Sequence, residues 1–349
     1  MLNIYIYKKI PNLPHIPLMD YFWGSSRFGV KRYGDDAIDR FNKQFFNVVE
    51  NPSMADYFLI PHNFFYIRDS EYIQDCIQLS REHNKKILIF SYGDSDADID
   101  VPNSIIFRTS QYAHKKKRNE IIMPAIADDL SLGLEFLPRT KSPKPVIGFC
   151  GWADFDNNTR KIKEYLKLIP VLIKSYIFRD NNAGAHRRGI LFRRKIISIL
   201  KSSSLVTANF LVRDSFSGNE KTRKLSFEQS RQEYIQNILD SDLSLAVKGD
   251  GNFSVRFYEI LSLGRVPLFV NTDCILPLEE EIVYDDFVAR VDSSDIANIA
   301  KRASEYYRSM TDSEFGERQE KARMAFETYL QADKFFSYVL TSEFLKKYE

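Results

Sequence analysis

The sequence predicts an α/β protein built on parallel sheets, and three observations carry that reading. Short runs rich in β-branched and aromatic residues alternate with segments of helical periodicity along most of the chain. Helix-sized stretches separate successive strands, the spacing that a parallel crossover needs. A short basic stretch at 139–145, RTKSPKP, is punctuated by proline and divides the chain into two such series.

Taken in order, residues 2–7 alternate and read as the first strand. Pro11, Pro14 and Pro17 break up a loop that ends at Asp20 to Gly24. Ile38, Phe41, Phe45 and Val48 fall on one stripe and predict a helix over 36–49. Residues 55–61 read as a buried strand ended by Pro61. A helix over 71–83 and strands over 86–90, 105–108 and 121–124 complete a doubly wound domain. In the second series a strand at 146–150 is followed by helices at 160–173 and 187–200. A strand at 205–211 and a helix at 228–239 come next, then strand–helix–strand at 243–247, 254–263 and 266–270. A late strand at 287–291, two helices within 295–330 and one over 333–347 close the chain.

A chain of 349 residues is long enough for two domains with cores of their own. The formal charge of +2 gives no general attraction for a polyanion, so no nucleic-acid partner is expected. No basic leader precedes a long apolar run, and no apolar stretch reaches the length of a membrane span. Cys76, Cys150 and Cys274 are far apart and lack metal-ligand spacing, so reduced thiols and a cytoplasmic location are expected.

The stretch 241–279 organises the second domain. Between its strands lies the polar loop Lys248-Gly249-Asp250-Gly251-Asn252, at the carboxyl end of a strand. Asn252 or Ser254 caps the helix that follows, and Gly264 stops it. Backbone N–H groups and the helix dipole favour an anion there. Arg256, in the first helical turn, adds a forked donor for a phosphate. Glu259 lies three residues on, beside it on the same face. Its carboxylate is placed to accept the two hydroxyls of a ribose. The alternative is that Arg256 and Glu259 pair with each other over an ordinary crossover turn.

In order and spacing these residues resemble the exostosin-like glycosyltransferases, glycosyltransferase family 47. The matching residues are Lys248-Gly249-Asp250, Ser254-x-Arg256, Glu259, Gly264-Arg265-Val266-Pro267 and Leu276-Pro277, with Ala55-Asp56-x-Phe58-x-x-Pro61 in the first domain. The resemblance implies a GT-B fold, two Rossmann-like domains facing each other across a cleft. It implies an acceptor domain over 1–141, rejoined by the helix 333–349, and a nucleotide-sugar-binding domain over 142–332. It implies an inverting transfer from a nucleotide-sugar, with UDP-sugars the expected series, to an oligosaccharide or lipid-linked glycan. Neither a cofactor nor a metal is expected. Many GT-B enzymes carry a second Glu eight residues after the first; here that position is Pro267. The donor set implied is Arg187, Lys248, Gly249, Gly251, Asn252, Ser254, Arg256 and Glu259, with Leu276-Pro277 lining the base pocket. Relatives from the secretory pathway carry a membrane anchor that this sequence lacks, which points to bacterial surface polysaccharide, capsule or O-antigen.

An inverting transfer needs a base on the acceptor side. Asp94 is the first choice: the resemblance implies a His-Asp pair there, and Gly93 stands in place of the His. Asp20, Asp96 and His62 follow. The acidic loop from Asp94 to Asp100 has other readings. A calcium loop requires glycine where Ile99 stands. An Asp-x-Asp metal site through Asp94 and Asp96 makes a GT-A-like, metal-dependent transferase. A plain solvated loop, or a non-catalytic glycan- or nucleotide-binding protein on the same scaffold, also remains. Two basic runs, 114–118 and 187–195, read as solvated faces or as peripheral contacts with the inner membrane. In the second run, Arg187 or Arg188 is placed to reach a donor diphosphate.

Overall fold

A computed structural model describes residues 1–25, 34–68, 70–180, 182–215 and 224–348. The chain divides into two compact units. One comprises Met1–Asp128, Ile275–Leu278 and Thr328–Glu349; the other comprises Asp129–Cys274 and Glu279–Glu327. The sequence reading places the division at 141, but residues 129–145 are bound by groups of the second unit. Arg323 donates to both Asp129 oxygens at 2.6 and 3.0 Å, and Ser262 Oγ accepts from the Leu130 N–H at 3.1 Å. Arg139 donates to Gln319 and Asp242, and Ser142 to the Tyr307 hydroxyl. The proline-punctuated stretch is therefore a tied strap of the second unit.

The first unit opens with β1 (Asn3–Ile6), α1 (Asp20–Trp23), α2 (Asp35–Asp39), β2 (Asn47–Val48) and β3 (Tyr57–Asn63). It continues with α3 (Glu71–His83), β4 (Lys86–Ser91), β5 (Ser104–Arg108) and β6 (Glu120–Ile122). Its sheet runs β2-β1-β3-β4-β5-β6, with every neighbouring pair parallel. The strands are apolar on both sides because both sides are covered. Leu88, Phe90, Ile105 and Phe107 face one core, and Ile87, Ile89 and Ile106 face the other.

Three local expectations change. The helix read over 36–49 ends at Asp39, and residues 47–48 add a strand beside β1. Phe45 and Phe46 are adjacent and both buried, which one helical stripe cannot arrange. Packing of Phe41 and Phe45 on Phe336 overrides the periodicity. Strand β3 does not stop at Pro61: it passes through the proline with a shift of register against β4. The closing helix is two, α11 (Ala332–Val339) and α12 (Ser342–Lys346), both packed into the first unit's core.

The second unit begins with β7 (Val146–Trp152), α4 (Asn158–Leu166), α5 (Ile169–Tyr176), α6 (Gly189–Ser202), β8 (Thr207–Arg213) and α7 (Phe227–Leu239). After them come β9 (Leu243–Ala246), α8 (Val255–Ser262), β10 (Val266–Asn271), β11 (Ala289–Asp292), α9 (Ile299–Arg308) and α10 (Asp312–Ala325). The helix read over 160–173 breaks after Leu166. Pro170 removes an N–H and would strike the carbonyl four residues back. The sheet order is β11-β10-β9-β7-β8, all parallel. From β7 the chain goes first to one side and then to the other, so the switch point lies between β7 and β9. In open parallel sheets, the crevice outside the strand ends at that point is where ligands bind. Two Rossmann-like α/β units with parallel sheets are thus the fold that the sequence predicts.

Candidate functional site

At the switch point of the second unit, side chains from α6, α7 and α8 converge on the carboxyl ends of β7 and β9. Arg193, on α6, donates to Trp152 O at 3.2 Å and to Lys248 O at 2.7 Å. It thereby stitches the ends of the two diverging strands together. Burial, with the Arg256 charge beside it, lowers this guanidinium to about 10, so it stays charged at neutral pH.

Gly189, the first residue of α6, rests directly on the glycine loop. Its N–H donates to Gly249 O at 3.2 Å. A Cβ here would stand 2.1 Å from Lys248 O and 2.5 Å from Gly249 O, so no other residue fits without moving backbone. Lys248 is 3% exposed, and its ammonium donates to Ala185 O at 2.6 Å. That bond ties Lys248 to the turn Ala183–His186 that leads to Arg187.

The loop is less of an anion nest than its glycines suggest. The Gly249 N–H closes a turn onto Phe253 O at 3.0 Å. Asn252 is buried and lies two residues before the N-cap position of α8; it accepts from Thr272 Oγ1 at 2.7 Å and donates to Asp273 O at 3.1 Å. Gly251 is buried as well. Ser254 occupies the N-cap position but makes no capping bond through its side chain. Gly249 differs from these: a Cβ there meets open space, so the fold does not require glycine and the backbone is open to approach.

Arg256 and Glu259 do not pair with each other. Arg256 donates to Cys150 O at 2.6 Å, its guanidinium lying 4.2 Å from the Phe149 ring centre and 5.1 Å from that of Tyr234. It covers Gly151, where a Cβ would meet Nη2 at 2.5 Å. Glu259 is buried, accepting from Arg231 at 2.8 Å and from the Tyr234 hydroxyl at 2.6 Å. Burial, then the Glu259 charge, pushes the Tyr234 phenol up, which keeps it a donor. A ribose at Glu259 must share the carboxylate with those two partners. In the sequence, the one signal for Arg231 and Tyr234 is their spacing of three on a helix, which places them on one face.

Arg188 lies within 3.1 Å of Glu164 and bonds Asp250 at 2.6 and 3.1 Å. Arg194 pairs with Asp154. Arg187 differs from both: its Nε is buried and has no hydrogen-bond partner among the described residues. The guanidinium groups of Arg193 and Arg256 thus lie on the strand ends and that of Arg188 on the loop, with Asp250 the one acid of the loop itself. Leu276 and Pro277, expected to line this site, belong by contact to the first unit.

The first unit holds the other candidates. His62 is 0% exposed; its Nε2 accepts from the Ile10 N–H at 2.9 Å and its Nδ1 donates to Pro14 O at 2.9 Å. Burial holds its pKa below the usual 6.5. With both nitrogens committed to backbone it cannot take an acceptor's proton, and the expectation that it serves as a base is corrected. It is a pin for the proline loop after β1. Asp20 is buried, 3.1 Å from His15 Nε2, which also lies 2.9 Å from Gly24 O. The sequence signal for His15 is weak: it stands between Pro14 and Pro17, five residues before Asp20. Asp94 is exposed just beyond β4. Its loop is anchored by Arg108, which donates to Ser95 O, Ala97 O and Ser110 O and pairs with buried Glu120 at 2.7 Å. Asp96 pairs with Lys115 at 2.8 Å. Among the described residues, no helix is long and apolar enough to cross a membrane.

No family model and no curated protein matches the chain. Among solved structures, it is similar to an alpha-glucosyltransferase in complex with UDP-glucose and DNA containing an abasic site. That match covers 99% of this chain and 98% of the other at 9% identity, with a TM-score of 0.37. A likeness of that degree assigns no activity, and the UDP-glucose and DNA belong to the other protein.

Proposed function

We propose that the chain is a glycosyltransferase whose second unit takes a nucleotide-sugar, of the UDP-sugar series, at the carboxyl ends of β7 and β9. The observation that supports this reading is the pair of guanidinium groups at the switch point, Arg193 and Arg256, with open space in front of Gly249 and an unpartnered buried Nε on Arg187, two residues before the Gly189 that rests on the same loop. In an inverting transfer the acceptor hydroxyl attacks the anomeric carbon. The bond to the diphosphate oxygen breaks, and its electron pair leaves with the nucleoside diphosphate. The hydroxyl proton passes to a base. Fixed guanidinium groups offset the charge that grows on the diphosphate, at no cost of reorganisation. Arg187 is the residue we assign to the diphosphate, and Arg193 and Arg256 supply the surrounding field. Glu259 is assigned to the ribose, in company with Tyr234. Asp94 remains the first choice for the base, with Asp20 second. Membership of the exostosin-like family, and a role in bacterial surface polysaccharide synthesis, are part of the same proposal.

The test is thermal-shift and calorimetric titration with uridine, guanosine and adenosine diphosphates and their sugars, in EDTA and in Mg²⁺. A ligand at 100 times its Kd stabilises the fold by about 2.7 kcal/mol. Wild type is expected to bind the uridine series in EDTA, and Arg187→Ala to bind it at least tenfold more weakly. Glu259→Gln reads the ribose assignment separately, as weaker binding beyond any fall in Tm. Binding that requires Mg²⁺, survives Arg187→Ala and disappears in Asp94→Asn moves the site to the first unit. No binding of any nucleotide overturns the proposal.

A further inference from the structure

The helices α4 and α5 are built inside out. An ordinary surface helix turns its apolar stripe inward and its charges to water. Here the one buried residue of α4 is Glu164, held from within by Arg188. The apolar stripe faces out. Ile162, Leu166, Ile169, Ile173, Ile177 and Phe178 are 58, 56, 47, 41, 70 and 73% exposed. Steps of three and four carry the stripe from Ile162 to Ile173 over both helices, Ile177 and Phe178 follow just past the end of α5, and Tyr165 lies beside it at 46% exposed. Four exposed cations flank it, Lys161, Lys163, Lys174 and Arg179, and a fifth, Lys167, is paired with Glu164 at 2.9 Å. Among the described residues from 157 to 179 the only acid is the buried Glu164.

We infer that this face is a docking surface for an anionic lipid bilayer, with the two helices lying in the plane of the interface. The charge argues for lipid over protein. Lysine is depleted where proteins meet one another, whereas long lysine stems run along apolar surface and bring their ammonium groups to headgroups. An apolar face bordered by lysine, on helices too short to span, is the pattern of an interfacial helix. The cations also complement an anionic leaflet. The two helices are about 14 and 12 Å long, at 1.5 Å per residue. This inference is independent of what the donor site binds. It differs from the contact expected at 114–118, where Lys115 is already paired with Asp96.

The test is flotation of the full chain with vesicles of phosphatidylcholine, alone or with 30 mol% phosphatidylglycerol as a starting proportion on the order of natural anionic content. Wild type is expected to float with the anionic vesicles and not with the neutral ones. The double substitution Ile173→Glu/Ile177→Glu should lower the bound fraction at least tenfold at unchanged Tm, and Lys161→Glu/Lys163→Glu should do the same. Phe178→Trp gives a second reading, a blue shift in emission on anionic vesicles. The proposal fails if wild type does not float, or if either double variant floats as well as wild type. It also fails if the face proves to seal a dimer that Ile177→Glu dissociates while vesicles go unbound.

Discussion

At the switch point of the first sheet, between β1 and β3, the chain spends its polar groups on itself. His62 uses both ring nitrogens on the proline loop, and His15 is locked against Asp20 and Gly24 O. At the switch point of the second sheet, between β7 and β9, Arg193 also uses its nitrogens on backbone carbonyls. The difference is in what remains. An imidazole bound on both sides and buried is neutral and inert. A guanidinium bound to two carbonyls keeps its charge, because even a lowered pKa of about 10 leaves it protonated. Structural pinning and ligand binding are thus exclusive for the histidine but compatible for the arginine.

The comparison breaks most visibly at Arg108. Arg108→Met leaves Glu120 as a buried, uncompensated carboxylate, and loss of about 3–5 kcal/mol is expected in urea unfolding. Nucleotide affinity of the folded fraction should stay within about twofold, as the groups assigned to the donor lie in the second unit. A large loss of affinity would mean that the two sites are coupled.

Two glycines sharpen it at smaller scale. Gly189→Ala drives a Cβ into backbone oxygens and should cost about 1–3 kcal/mol. Gly249→Ala meets open space and should leave stability within about 0.5 kcal/mol. Nucleotide binding should nevertheless weaken in Gly249→Ala if the diphosphate approaches this backbone. Equal stability of the two variants would show that α6 does not rest on the loop.

The smallest effect belongs to His62. Burial lowers its folded pKa, so between that value and 6.5 the unfolded chain binds the extra proton. Stability rises with pH across this window. The contribution is complete above pH 6.5 and is lost as pH falls through the folded pKa. Urea midpoints at pH 7.5 and 5.5 should differ more in wild type than in His62→Gln. An unchanged gap would remove His62 from the account.

Most of the fold was legible because parallel strands bury both faces. The runs at the centres of β3, β4 and β5, residues 57–60, 87–90 and 105–107, are apolar throughout, and α3 follows its stripe from Glu71 to His83. What failed was local pattern that packing overruled, as at Phe45 and Phe46, or a proline read too strictly, as at Pro61. Of the site, the glycine loop, Arg256 and Glu259 could be placed on a strand end and a helix start, since those are local facts. Their partners could not. Which helix packs beside α8, and so which residues reach Glu259, is decided by the sheet order. Arg193 sat inside a run whose plain reading is a solvated face, and only the splitting of β7 from β9 gives it two carbonyls to bridge.

The discontinuity of the first unit has a consequence for synthesis. Its sheet is encoded within the first 128 residues, yet Phe335, Phe336, Val339, Phe344 and Leu345, which close one of its cores, arrive after residue 328. At about 5–20 residues per second, roughly 10–40 s of translation separate the two. The domain that emerges first is therefore the one finished last. Through that interval its aromatic face, Phe90 and Phe107 included, waits uncovered for the tail of the chain.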